Sequence, residues 1–149
     1  METIHKVDKS KWPEGPWSTE PDKLEWRDAE TGLPCLLVRV GHHGALCGYV
    51  AVPPAHPAHG LRWSADALEN ISVHGGLSYS DKCDAGGSIC YKANQGEPDD
   101  VWWLGFDCAH SGDLAPRLGS SSRETYRDVP YVQAECRSLA RQLAKLGGR

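Results

Sequence analysis

Two short apolar runs on either side of a glycine-bounded turn constrain the fold of this chain more than any other feature. Residues 34–40 (PCLLVRV) and 45–52 (ALCGYVAV) are rich in Val and Leu, and they flank the sequence GHHG at residues 41–44. Short apolar runs around a tight turn predict an antiparallel β-hairpin. A third run, residues 101–106 (VWWLGF), is apolar almost without interruption, which is typical of a strand inside a sheet rather than at its edge.

Three further segments complete the predicted elements. Residues 71–79 alternate well enough to form a strand that is interrupted at its two glycines. Ser64 precedes the sequence ADALE and is expected to cap one or two helical turns. Apolar residues recur at helical spacing from Asp128 or Pro130 to Leu146, which predicts one long helix before the terminal glycines.

These elements predict an α+β fold, in which a small, mostly antiparallel sheet carries one long C-terminal helix on one face. The 16 glycines and 10 prolines among 149 residues predict long Pro/Gly-rich loops. The length fits one α+β domain over residues 33–149. Residues 1–32 are polar and Pro-rich, with Trp12, Trp17 and Trp26 as anchors, so an irregular N-terminal arm over that domain is expected.

Charge and hydropathy argue against two classes of partner. The formal net charge is -4, and Lys and Arg form no basic stripe, whereas sequence-independent nucleic-acid binding needs one. The sequence contains no apolar leader-type segment near its start and no run approaching the roughly 18 apolar residues of a membrane span. A cytoplasmic protein without a membrane partner is therefore expected, and its oligomeric state is left open.

The six cysteines do not have the spacing of a metal-binding ribbon, because none of them forms a CxxC pair. Without a secretory context, mostly reduced thiols are expected. Cys35, Cys47 and Cys136 fall on apolar faces and are expected to lie in the core. The sequence leaves open whether Cys83 and Cys90 pair.

The segment WWLGFDCAHSGD at residues 102–113 concentrates reactive groups directly after an apolar strand. Its ionisable side chains are Asp107, Cys108, His110 and Asp113. A purely structural role rarely needs so many ionisable groups in one place, and rigid scaffolds often present functional groups at strand ends. We therefore expect a pocket with this segment as one half and His74, Gly75 and Gly76 as the other.

Six motifs of the chain resemble those of a group of small uncharacterised proteins of phages and prophages. They are LCGYVAVP at residues 46–53, HP at 56–57, HG at 59–60, HGGL at 74–77, WWLGFDCAHSGD at 102–113 and YRD at 126–128. The resemblance extends over residues 34–146. It implies a phage or prophage context, with action in the host cytoplasm, and no particular reaction. Such a context favours a protein that interferes with host machinery, including host defence, or is recruited to it.

The leading interpretation of the reactive segment is an accessory protein that binds a small ligand or a host protein without turnover. Glycines permit close backbone approach, an aromatic ring offers a stacking face, and imidazoles and carboxylates fix orientation through hydrogen bonds. The predicted ligand-binding residues are His74, Gly75, Gly76, Trp103, Asp107, His110 and Asp113.

A second interpretation is a metal-dependent hydrolase. Histidine and carboxylate ligands with an open coordination position suit a divalent transition metal such as Zn, which can generate hydroxide near neutral pH. The predicted metal ligands are His74, Asp107, His110 and Asp113. The proline-stiffened HPAH loop, with His56 and His59, is a further candidate clamp for a metal or an anion, although a rigid crossover explains it equally simply.

A third interpretation is a thiol hydrolase or acyltransferase. The order of His74 and Cys108 resembles that in circularly permuted papain-like enzymes, and this resemblance implies a cysteine at a helix N-terminus. There the thiol pKa would fall, His74 would act as general base, and Asp107 or Asp113 would orient the imidazole. Gly112 departs from that pattern, because it cuts the long helix expected after the cysteine.

Each of these side chains, taken singly, also has a structural role open to it. Asp107 can cap a helix, Cys108 can fill a small buried space, and His110 and Asp113 can bond to backbone groups in a turn. The case for a functional site therefore depends on whether the chain brings them together.

Overall fold

The chain forms a six-stranded antiparallel sheet with one long helix on one of its faces. A computed structural model describes residues 2–4, 7–83, 89–92, 94–118 and 123–148. The elements are β1 (Glu2–Ile4), β2 (Lys23–Arg27), β3 (Pro34–Arg39), β4 (Leu46–Val52), β5 (Tyr79–Lys82), β6 (Trp102–Asp107) and α1 (Val129–Leu146). The strand order is β1-β2-β3-β4-β6-β5, and every neighbouring pair is antiparallel. The predicted α+β class is confirmed.

The predicted hairpin and the predicted inner strand are both present. β3 and β4 pair in a register that sets Cys35 opposite Val50. β6 lies between β4 and β5, and its four middle residues are buried. A strand that pairs on both sides and is covered on both faces needs apolar residues at successive positions, which explains the uninterrupted apolar run in the sequence.

The predicted C-terminal helix is confirmed as α1. Asp128 caps it by accepting a hydrogen bond from the backbone N–H of Tyr131 at 3.0 Å, and Gly147 follows its last residue. Its buried face, which includes Val132, Cys136, Leu139 and Leu143, packs against β3 and β4. Neither α1 nor any other helix in the described part of the chain combines the length and the apolar character needed to cross a membrane.

Gly48 on β4 allows α1 to lie close to the sheet. A Cβ atom at this position would overlap the ring of Phe106 and would lie 2.8 Å from the sulfur of Cys136 on the helix. Because interiors are packed at crystal-like density, neither neighbour has room to move away. The glycine in the LCGYVAV run therefore sets the distance between helix and sheet.

The second face of the sheet carries a smaller apolar cluster. Its buried members are Leu36, Cys47, Tyr49, Ala51 and Trp103. Ile89 and Tyr91, which lie between β5 and β6 in the sequence, pack against this cluster. Alternate residues of β4 and β6 thus point to opposite faces, as the strand period of two requires.

The expectation of an irregular arm over residues 1–32 is wrong in part, because β1 and β2 extend the sheet. Lys23 and Glu25 are charged residues of β2, but both are buried and they pair with each other at 3.0 Å. Pairing removes much of the penalty for burying a charge. Trp17 is an anchor as expected, since only 4% of it is exposed.

The strand expected over residues 71–79 is also largely wrong, since β5 begins only at Tyr79. Residues 71–78 are irregular, and their backbone bonds instead to side chains of α1, where Gln142 accepts from the N–H of Ser72 at 2.8 Å. The helical turn expected after Ser64 is present as a 3-10 helix, Asp66–Leu68. Its N-cap is Ala65, however, and no side chain caps it.

The cysteines divide into one pair and four single thiols. Cys83 and Cys90 form a disulfide, which answers the question that the sequence left open. Among the described residues the free cysteines are Cys35, Cys47, Cys108 and Cys136, and all four are buried.

Candidate functional site

The carboxyl end of β6 brings the reactive segment next to the N-terminal end of α1. Asp107, the last residue of β6, is paired with Cys47 of β4, and the N–H of Cys108 donates to the carbonyl of Leu46 at 3.0 Å. Beyond this point the chain leaves the sheet through turns, and Asp113 bridges to Thr125 shortly before the helix begins. The expected helix after Cys108 is therefore not formed.

A buried carboxylate, that of Asp113, is the centre of the site. Its side chain is 1% exposed, and its two oxygens lie 3.0 and 2.8 Å from Nε2 of His74. It also accepts hydrogen bonds from Nε of Arg127 at 2.9 Å and from the backbone N–H of His110 at 3.0 Å. Three separate segments of the chain thus converge on one carboxylate.

The environment of Asp113 keeps it ionised. Burial by itself raises the pKa of this carboxyl, but the hydrogen bonds from His74, Arg127 and the backbone of His110 outweigh burial, and the net pKa lies below the ordinary value for aspartate. In turn, the hydrogen bond to Asp113 raises the pKa of the Arg127 guanidinium. Asp113 and Arg127 are therefore a charged pair at neutral pH.

His74 is held from two sides, because its second ring nitrogen contacts α1. Nδ1 lies 2.8 Å from the hydroxyl oxygen of Tyr131, and the backbone N–H of His74 donates to Oε1 of Glu135 at 2.7 Å. With Asp113 accepting from Nε2, the neutral imidazole carries its proton on Nε2 and accepts from Tyr131 at Nδ1. The ring is fixed in position and in tautomer.

The sequence did not identify Tyr131, Glu135 or Arg127 as site residues. Tyr131 and Glu135 fall within the predicted C-terminal helix, and Arg127 belongs to the YRD motif of the resemblance. The signal that could have found them is a spacing of four: Tyr131 and Glu135 are four residues apart on α1, and Arg127 lies four residues before Tyr131, just ahead of the N-cap Asp128. In the structure, the guanidinium carbon of Arg127 lies 5.1 Å from the ring centre of Tyr131.

A second group of side chains lies beside the first and includes the predicted residues Asp107 and His110. Asp107 accepts from the hydroxyl of Ser78 at 3.0 Å and from the N–H of Ala109 at 3.1 Å. Nε2 of His110 lies 3.2 Å from the same carboxylate, and the His110 side chain is 40% exposed. The rings of His110 and His74 are 6.2 Å apart, measured between centres. We call the combined set the His74 cluster: His74, Asp107, His110, Asp113, Arg127 and Tyr131.

Gly75 leaves the space in which the ring of His110 packs within the His74 cluster. Its φ angle is +68°, and a Cβ atom there would overlap the imidazole of His110. Gly76 has a φ of +83°, but a Cβ atom at Gly76 would meet nothing within 4 Å. Of the two predicted glycines, Gly75 is required both by its backbone and by its neighbour, whereas Gly76 is required by its backbone alone.

Trp103 and Cys108, both predicted site residues, lie in the interior. Trp103 is fully buried in the cluster on the second face of the sheet, so it offers no stacking face to a ligand. Cys108 is 1% exposed, and burial, together with the negative charge of Asp113, raises the pKa of its thiol far above the ordinary value. Since His74 already uses both ring nitrogens on Asp113 and Tyr131, the pairing expected of a thiol nucleophile and its base is not formed.

The histidines of the HPAH loop have structural partners. Nε2 of His56 lies 2.7 Å from the carbonyl of Leu143 near the end of α1, and its Nδ1 accepts from the N–H of Ala58 at 2.9 Å. Nε2 of His59 lies 2.7 Å from the carbonyl of Asp100. Within the described ranges, no three or more His, Cys, Asp or Glu side chains are arranged to hold a metal ion, so the metal interpretation gains no support there.

A cleft of about 420 Å³ lies at the opposite end of the sheet from the His74 cluster, and its lining includes Arg27, Pro53, Pro98 and Asp100. The cluster itself is a surface site, in which buried Asp113 anchors side chains that reach solvent.

The His74 cluster has two chemical capacities. It offers a fixed set of hydrogen-bonding groups, and it contains an imidazole that can exchange a proton with the Tyr131 hydroxyl while a carboxylate holds its other nitrogen. No family model, curated protein or solved structure matches the chain.

Proposed function

We propose that this protein binds a small, uncharged polar ligand at the surface of the His74 cluster. The observation that carries this proposal is the buried Asp113 carboxylate, which holds His74, Arg127 and the backbone of His110 in one arrangement. A site whose groups are already fixed loses little entropy on binding.

The charges of the site favour an uncharged ligand over an anion. Asp107, Asp113 and Glu135 contribute three carboxylates, and Arg127 contributes one guanidinium. This excess of negative charge disfavours an anionic ligand. Each carboxylate already accepts hydrogen bonds from neighbouring donors, so a ligand would be recognised through the direction of its hydrogen bonds to the groups that remain exposed.

The groups available to a ligand are the exposed ones. His110 reaches solvent, and the contacts that Arg127 makes among the described residues use Nε and the face of its guanidinium. The terminal nitrogens of Arg127 are therefore donors for a ligand carbonyl or hydroxyl.

The proposal also includes a biological setting, that of a phage or prophage protein. The motifs HGGL and WWLGFDCAHSGD, which resemble those of small phage and prophage proteins, contain four of the six residues of the cluster. This overlap supports a phage-type accessory protein that sequesters its ligand in the host cytoplasm. The alternative binding partner is a polar segment of a host protein, bound at the same surface.

A panel of uncharged polar compounds tests the binding. Nucleosides, monosaccharides and N-acetylated amino acid amides are screened by ligand-observed NMR, and each compound that binds is checked for its effect on the melting temperature. A ligand at 100 times its Kd should stabilise the fold by roughly 2.7 kcal/mol. We expect His110→Ala and Asp107→Asn to remove the response.

His42→Ala is the matched control, because His42 is an exposed histidine outside the cluster. It should respond like the wild type. Equal responses of wild type, His110→Ala and Asp107→Asn to every compound that binds would place the site elsewhere. If no compound in the panel binds, the proposal of a small uncharged ligand is wrong.

A further inference from the structure

The Asp113, His74 and Tyr131 side chains form a continuous line of hydrogen bonds from a buried carboxylate to a phenol. We propose that Tyr131 is a nucleophile that attacks the carbonyl carbon of an uncharged carboxylic ester, with His74 as its general base and Asp113 as the residue that positions His74. This inference rests on the proposed function, since the ester would be the ligand of the same site.

The distances are those that such a mechanism needs. A nucleophile and its base must lie within about 2.6–3.2 Å, and the base must be oriented by a third group. The Tyr131 hydroxyl lies 2.8 Å from Nδ1 of His74, and Nε2 of His74 lies 2.8 Å from Asp113. Asp113 is ionised, so it favours the tautomer that leaves the lone pair of Nδ1 facing the phenol.

Tyr131 needs such a base. Burial, followed by the negative charge of Glu135, raises the pKa of the phenol above its ordinary value. Near neutral pH the hydroxyl is therefore protonated and is a weak nucleophile until a base accepts its proton. The contact with His74 provides that base at the hydroxyl itself.

Both steps of the reaction balance with water as the only co-reactant. In the first, the Tyr131 oxygen bonds to the ester carbon, its proton passes to Nδ1 of His74, and the departing alcohol oxygen takes that proton as its bond to carbon breaks. In the second, water attacks the acyl-tyrosine and gives a proton to His74, which returns it to the Tyr131 oxygen. The products are the alcohol and the carboxylic acid.

Arg127 is placed to stabilise the charge that develops on the carbonyl oxygen. Its guanidinium lies 5.1 Å from the ring centre of Tyr131 and is held through Nε by Asp113. The terminal nitrogens can then donate to an oxyanion formed beside the phenol. An uncharged ester suits this site better than a phosphate ester, because the three carboxylates around it would repel an anion.

The experiment uses p-nitrophenyl acetate and the full-length protein. Release of p-nitrophenolate is followed with time, and the protein is quenched in acid for intact mass measurement and peptide mapping. We expect one acetyl group per chain, located on Tyr131. His74→Gln should slow acetylation by at least about 100-fold, the lower end for loss of a positioned proton acceptor.

Tyr131→Phe should carry no acetyl group, and it should release p-nitrophenolate no faster than buffer alone. Tyr79→Phe is the matched control, because Tyr79 lies on β5 outside the cluster, and it should react like the wild type. Mapping in the wild type needs no variant, so it decides the question even if a variant fails to fold. Acetylation of lysines without Tyr131, or equal rates in wild type and Tyr131→Phe, would overturn the proposal. In the wild type, binding of the compounds found in the NMR screen without acetylation of Tyr131 defeats only the nucleophile, whereas failure of the wild type to bind any of them defeats the proposed function.

Discussion

Nε2 of His74 lies 2.8 Å from the carboxylate of Asp113, a side chain that solvent does not reach. This contact joins the irregular segment over residues 71–78 to the turn that follows β6. Because Nδ1 of the same ring contacts Tyr131 on α1, one imidazole connects three parts of the chain. The packing of the loop and the chemistry of the cluster therefore depend on the same atoms.

Asp113→Asn is expected to destabilise the fold in a pH-dependent way. The folded pKa of Asp113 lies below its ordinary value, so its stabilising effect is complete above the unfolded pKa of about 3.9 and disappears as pH falls through the folded pKa. At neutral pH the variant should lose roughly 2 kcal/mol, typical of hydrogen bonds to a charged group. Urea unfolding between neutral and acidic pH measures the difference, which should shrink toward zero at low pH. A difference independent of pH would contradict the ionised pair.

Alanine at the two neighbouring glycines should separate backbone strain from the position of His110. Both glycines have a positive φ, so each alanine variant should lose about 1–2 kcal/mol of stability. Only Gly75→Ala also displaces the His110 ring. Ligand binding, measured by NMR as above, should be lost in Gly75→Ala and retained in Gly76→Ala. Equal binding by the two variants would show that the ring position of His110 does not matter.

Cys108 is expected to be unreactive in the folded protein. Its thiol is buried and its pKa is raised, and the thiolate is the form that reacts. Iodoacetamide at neutral pH should leave Cys108 unmodified for as long as the protein stays folded, whereas unfolding in urea should expose it together with the other three free cysteines. Mass mapping of the modified peptides gives the answer. Rapid, selective labelling of Cys108 would revive the thiol-nucleophile interpretation.

The buried guanidinium of Arg39 should matter far more than a surface one. Its side chain is fully buried, with Nε 2.9 Å from Asp22 and Nη1 2.8 Å from the carbonyl of Gly44. Arg39→Met leaves Asp22 without this partner, and we expect a loss of about 3–5 kcal/mol in urea unfolding. Arg141→Met is the matched control, because the ion pair of Arg141 with Glu30 is exposed; it should change stability little. Similar losses in both variants would mean that burial of Arg39 is not the cause.

Local sequence pattern was enough to predict the elements whose side chains pack in apolar surroundings. The β3-β4 hairpin, the inner strand β6 and the helix α1 all follow from apolar runs, a glycine-bounded turn and helical spacing. The sequence pattern did not predict β2, in which Lys23 and Glu25 are buried as an ion pair. Lys23 and Glu25 are two residues apart on the same strand, and their burial is decided by the packing of the rest of the chain around β2, which a local pattern does not record.

The same distinction between local sequence pattern and tertiary packing applies to the candidate site. The sequence determined by itself that His74, Asp107, His110 and Asp113 are grouped around glycines and strand ends. Only the tertiary structure decided that Asp113 is buried beneath His74, because the contact joins residues 39 positions apart. It likewise added Tyr131 and Arg127 and turned Trp103 and Cys108 inward. The physical reason is that burial and hydrogen-bond partners are set by packing between distant segments, whereas the sequence pattern records only the local preference of each segment.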